Sequence, residues 1–110
     1  WRAIRYIPIE DDRKHLVGLV SMRMVMREYS RVVNDDKIDS VQLSDFMIKN
    51  PITVHPEASI MEAMNIMLEN KIGCLPVVKN SRLVGIITEH NYMDITRRLL
   101  YALAGEKEDN

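Results

Sequence analysis

A single cysteine, Cys74, excludes an internal disulfide and fits a reducing cytosol. Aromatic residues make up only 5% of the 110 residues, and the four glycines are scattered, so no glycine-rich phosphate loop can be drawn. Neither sign of charge dominates: 15 Lys and Arg against 16 Asp and Glu give a formal net charge of −1. That balance leaves no basic footprint for nucleic acid. No apolar run reaches the roughly 18 residues that a membrane span needs, and no signal peptide is visible, so a cytoplasmic chain without membrane contact is expected. His15, His55 and His90 stand at no metal-ligand spacing. Cys74 and His90 could suggest a thiol nucleophile and its base, yet Cys74 opens an apolar run and reads as a small buried hydrophobe. No catalytic residue, metal ligand or required cofactor is assigned, and the chain is not read as an enzyme.

Apolar residues make up 46% of the chain, enough for the core of one compact domain. The stretch from Asn50 to Thr88 is the most informative. Pro51 and Pro56 bias their preceding residues to extended geometry, so 52–55 should form a short strand or arm. Ser59 with Glu62 three positions later is a capping box, and Ile60, Ala63, Met64, Met67 and Leu68 recur at helical spacing. Asn70 or Gly73 can close this helix in a left-handed conformation. Cys74–Val78 and Leu83–Ile87 are apolar runs around the polar Lys79-Asn80-Ser81-Arg82, which predicts a hairpin. A last helix should start at Thr88 or Glu89 and bury Tyr92, Met93, Thr96, Leu99, Leu100 and Leu103. A charged tail is expected from Gly105.

Trp1 to Val33 read as half of the same unit. Ile7-Pro8-Ile9 matches Leu75-Pro76-Val77, with Pro76 lying 68 positions after Pro8. Leu16–Ser21 matches Leu83–Thr88, with Gly85 lying 67 positions after Gly18. The one-residue difference falls in the turn, where an insertion is best tolerated. Met22, Val25, Met26, Tyr29, Val32 and Val33 then mark an amphipathic helix. Asn34–Gln42 is polar and reads as a linker, and Leu43–Ile48 as a helical turn capped by Ser44 or Asp45. The opening arm and helix of the first repeat would begin about 25 residues before Trp1, so a piece of a longer protein is expected. The expected division is 1–37 for the second half of repeat one, 38–104 for a complete repeat two, and 105–110 for a disordered tail. Apolar surface left by the incomplete repeat calls for cover, and a homodimer is expected.

The order arm, helix, strand, strand, helix is accompanied by Phe46-Met47, Asn50-Pro51, Thr53, Ala63, Leu75-Pro76-Val77, Leu83-Val84-Gly85 and Thr88. Together these resemble the cystathionine β-synthase (CBS) domain over residues 43–104. The resemblance implies an α/β (α+β) fold, a tandem pair of β-α-β-β-α repeats whose small sheets pack on helices about a pseudo-twofold axis. It also implies a regulatory module that binds an adenosyl ligand, AMP, ADP, ATP or S-adenosylmethionine, between the repeats and controls a neighbouring catalytic or transport domain. Carried over position by position, the pocket of repeat two would use Ile52, Thr53, Val54, Gly73, Cys74, Leu75, Pro76 and Thr88. His90 would lie near a phosphate, which the start of the last helix would also face with free N–H groups. The weaker candidates of repeat one are Tyr6, Ile7, Pro8, Ser21 and Arg23, with Arg5 flanking them. Asn91 stands where the family has a ribose-binding Asp, and Met24 stands at the same place in repeat one. An amide offers one acceptor oxygen and no charge, so site two should be weaker by about five- to tenfold, and site one lost or altered. Those two departures leave open a ligand-free dimerisation or scaffold role. The opening Trp1–Asp11 is also similar to CBS pairs appended to bacterial carboxylate–amine ligases of the glutamate–cysteine ligase type.

Overall fold

A computed structural model describes the backbone of residues 5–108 and the side chains of residues 5–90 and 97–105. Strands β1 (Tyr6–Glu10) and β2 (Leu16–Ser21) form an antiparallel hairpin. Its loop is shaped by Asp11, whose carboxylate accepts from the N–H groups of Arg13 and His15 at 2.8 and 2.9 Å. The His15 bond is the main cause holding this carboxyl below its ordinary pKa. Helix α1 (Met22–Val32) follows at once, capped by Ser21, whose Oγ accepts from the Met24 N–H at 3.1 Å. Strand β3 (Ile48–Lys49) joins the far side of β2, pairing Gly18 with Lys49 and Leu19 with Ile48. Gly18 leaves room for the Met47 thioether, which a Cβ at that position would displace. The turn at Leu43–Asp45 is closed by Asp45, whose carboxylate accepts from the Gln42 N–H at 2.8 Å; Ser44 is not its cap.

Strands β4 (Cys74–Lys79) and β5 (Arg82–Thr88) form the second sheet. Asn80 and Ser81 both take positive φ, 54° and 66°, the two-residue turn whose twist matches the strands. The preceding arm pairs at Val54 alone, parallel to Val77: its N–H donates to the Pro76 carbonyl at 3.0 Å and its carbonyl accepts from Val78 at 2.8 Å. Helix α2 (Ile60–Asn70) starts where expected, with Ser59 Oγ accepting from the Glu62 N–H at 3.1 Å. It closes on neither Asn70 nor Gly73. Lys71 takes the left-handed position, with φ 53°. Ala63 and Met67 of α2 pack with Val54 and Leu75 in the core, where Leu75 is 0% exposed. Ile60 and Leu68, the ends of the predicted stripe, are exposed, because the narrow sheet covers only the centre of the helix.

Helix α3 (Glu89–Glu108) runs on past Gly105, where a tail was expected. The strong helix formers around that glycine outweigh the cost of about 1 kcal/mol for one Gly in a helix. Leu99, Leu100 and Leu103 are exposed rather than buried. A 20-residue helix extends about 30 Å and outruns the short sheet from which it starts. The side chains of Tyr92, Met93 and Thr96 lie outside the described residues. Among the described residues no helix is long and apolar enough to cross a membrane.

The internal repeat is visible in the backbone. Both hairpins shift register at matching places, between Ile9 and Glu10 and between Val77 and Val78. Met22 N–H donates to the Arg5 carbonyl at 2.8 Å, and the matching Glu89 N–H donates to the Gly73 carbonyl at 2.9 Å. The two halves are stitched by Leu16 N–H to the Ser81 carbonyl, 2.9 Å, and Asn50 N–H to the Val17 carbonyl, 3.3 Å. They differ beneath the helix: Leu75 is fully buried, whereas the matching Ile7 is 36% exposed.

Candidate functional site

In each repeat, one corner joins three things: the start of the first hairpin strand, the end of the second (Ser21 or Thr88), and the first turn of the following helix. Residues from both corners line one cleft of about 650 Å³. Repeat one contributes Arg5, Tyr6, Ser21 and the first turn of α1, Met22 to Met24. Repeat two contributes Lys71, Ile72, Gly73, Cys74 and Glu89, and Ile48 of β3 completes the wall. Tyr6 reaches across the junction. Its hydroxyl lies against Gly73, where a Cβ would overlap it and come within 3.1 Å of Glu89 Cδ. Glycine at 73 therefore makes room for a side chain from the other repeat.

The electrostatics are uneven. Burial raises the Tyr6 pKa most, Glu89 and Cys74 raise it further, and Arg5 and Arg23 oppose them. Burial alone pushes the Cys74 thiol up to about 11. It is 3% exposed and stays a neutral thiol at physiological pH, as expected of a small hydrophobe. Ser21 Oγ is engaged by Met24. The Glu89 N–H is engaged by Gly73, so the first N–H of α3 is not open to a phosphate as the sequence suggested.

Of the residues singled out in the sequence, Tyr6, Ser21, Arg23, Gly73 and Cys74 line the cleft. Val54, Leu75 and Pro76 do not. Their side chains are in the core, and the Pro76 carbonyl is taken by the Val54 N–H. Ile52 and Thr53 are exposed on the arm, Ile7 and Pro8 lie further along β1, and Thr88 pairs with Cys74 at the end of β5. None of these five, nor the exposed His90, is part of the cleft lining. The Asn91 side chain lies outside the described residues. Sequence reasoning did not select Lys71 or Glu89. Glu89 was findable, lying 67 positions after Met22 in the repeat; Lys71, the closing residue of α2, carried no signal. Among the described residues no cluster of His, Cys, Asp and Glu could hold a metal ion.

The sequence model of the CBS domain family matches residues 43–97. The chain belongs to the CBS domain family. Its α+β fold is that of solved CBS pairs. It is 35% identical to AcuB of Vibrio cholerae, with a TM-score of 0.75 over 92% of this chain and 74% of that one. It is 26% identical to CBSX2, solved in complex with AMP, with a TM-score of 0.68 over 87% of this chain and 73% of that one. Other similar structures hold 5′-methylthioadenosine and S-adenosylmethionine, or ATP. An inosine-5′-monophosphate dehydrogenase of Korarchaeum cryptofilum is 40% identical over 87 residues, which are 78% of this chain and 16% of that enzyme. The chain spans 52%, 73% and 25% of the length of three further curated relatives. A CBS pair is a regulatory module, not a catalytic one, and relatives carry CBS domains appended to enzymes and transporters.

Proposed function

We propose that this CBS pair is a sensor in which an adenosyl ligand, AMP, ADP, ATP or S-adenosylmethionine, occupies the cleft between the repeats. The observation that carries this reading is the convergence of both repeats' strand–helix corners on one cleft. A ligand there touches both halves at once, so it favours one relative arrangement of them over others. That shift is passed to a neighbouring catalytic or transport domain in a cytoplasmic homodimer. A ligase of the carboxylate–amine type is one such domain, on the likeness of the opening segment. The AMP-bound relative and the dehydrogenase that carries a matching segment support the ligand class and the appended arrangement.

Thermal unfolding with AMP, ADP, ATP and S-adenosylmethionine tests the reading. A ligand at about 100 times its dissociation constant stabilises by about 2.7 kcal/mol, and each kcal/mol moves the midpoint by about 4–8 °C in a domain of this size. One adenosyl compound should therefore raise the midpoint by about 10 °C or more. A ligand-free dimerisation scaffold is the second reading, favoured by Met24, which lines the cleft and brings no acceptor for ribose hydroxyls. An unchanged midpoint with every compound, in a stable dimer, selects the scaffold.

A further inference from the structure

The charges that line the cleft set what kind of adenosyl ligand it takes, an inference that rests on the sensor reading. Three cations, Arg5, Arg23 and Lys71, line it against one carboxylate, Glu89. The chain as a whole has slightly more acid than base, so this wall is unlike its average surface. Among the described residues none of the three cations is held in an ion pair: the pairs present are His15 with Asp11 and Arg31 with Glu28. Glu89 is in neither of those ion pairs, and its carboxyl group lies beside Gly73 near the Tyr6 hydroxyl. The cations also come from both halves. Arg5 and Arg23 flank the β1–β2 corner of repeat one, and Lys71 closes α2 of repeat two. A lysine in that left-handed position is disfavoured relative to glycine, yet Lys71 is one of the residues that line the cleft.

We infer that the cleft selects a phosphate-bearing adenine nucleotide over S-adenosylmethionine, with Arg5, Arg23 and Lys71 holding the phosphates. Guanidinium groups pair with phosphate oxygens through two parallel N–H donors, and the lysine adds a point charge. S-adenosylmethionine brings a sulfonium and an ammonium to a wall already positive, and only its carboxylate is matched. A polyphosphate bridging Arg23 and Lys71 also ties the two repeats together, which couples occupancy to their relative placement.

Titration calorimetry of the purified protein with ATP, AMP, adenosine and S-adenosylmethionine, at low and high salt, tests the inference. ATP should bind about tenfold or more tighter than adenosine at low salt, with the gap narrowing as salt screens the cations. In Arg23→Gln, and separately in Lys71→Gln, the ratio of ATP to adenosine affinity should fall about five- to tenfold. Using two variants guards against one that fails to fold, which circular dichroism detects. Adenosine or S-adenosylmethionine binding as tightly as ATP, or an unchanged ratio in the folded variants, overturns the phosphate selection while leaving the sensor reading in place. Failure of every adenosyl compound to bind overturns both.

Discussion

Gly73 of repeat two and Tyr6 of repeat one meet in the cleft, and their coupling can be measured. In Gly73→Ala the new methyl group meets the Tyr6 hydroxyl, so one of the two must move, at an expected cost of about 1–3 kcal/mol in urea unfolding. Tyr6→Phe removes the obstructing oxygen, so the double variant should recover most of that loss. A cycle with no coupling would mean that Tyr6 swings away freely. Cys74 supports a second test at this scale. Its thiol is raised from 9.0 to about 11 by burial, so the folded state keeps its proton where the unfolded chain gives it up. The stability it contributes is therefore complete below about pH 9 and is lost as pH climbs towards about 11. In Cys74→Ala the decline of stability over that window should be shallower, and in the native protein the thiol should resist maleimide at pH 7 until unfolded. If Asn91 holds the ribose-binding place that the family resemblance assigns to it, Asn91→Asp should tighten AMP or ATP by about five- to tenfold; calorimetry reads it directly.

At the scale of elements, the hairpin turn shows how local chemistry fixes register. Asn80 and Ser81 both hold left-handed backbone, for which Ser81 is a poor residue and glycine a good one. Ser81→Gly should raise stability by about 1 kcal/mol without disturbing the Leu16 N–H bond, which uses the backbone carbonyl. A lower midpoint would show that the Ser81 side chain has a role the backbone does not suggest. This turn, the Ser59 cap and helix α1 were legible in the sequence, because each depends on residues within a few positions of one another. The repeat was legible too, since Pro8 and Pro76, and Gly18 and Gly85, recur at nearly constant spacing. The cleft wall was only half legible. Leu75, Pro76 and Val54 fall in the segments that the family resemblance marks for a ligand, yet the arm pairs with β4 there and these side chains lie in the core. Lys71 lines the cleft and closes α2 in a left-handed conformation, a role for which Asn70 and Gly73 were the better candidates in the sequence.

The whole molecule is extended for its length. Its radius of gyration is 18.0 Å, against about 13 Å for a compact domain of this size, and its longest extent is 66 Å. The 20-residue α3, about 30 Å long and exposed at Leu99, Leu100 and Leu103, contributes to that length. Apolar side chains are exposed on all three helices, Met26 and Tyr29 on α1, Met61 and Leu68 on α2, and Leu99 and Leu100 on α3. Surface of this kind on several elements exceeds what isolated exposed residues would give, and association would bury it. A second copy is the expected partner, because a twofold contact lets one apolar face cover itself. Light scattering should give twice the chain mass at micromolar concentration, and Met26→Glu with Tyr29→Glu should shift the mass to that of one chain. The same pair of substitutions separates the two readings of the cleft. If a nucleotide acts by favouring one arrangement of repeats within a dimer, its affinity should differ between dimer and monomer, since the reciprocal effect of assembly on binding is obligatory. Equal affinity in both would confine the nucleotide's effect to a single chain, and the neighbouring domain would then have to be contacted by the repeats directly.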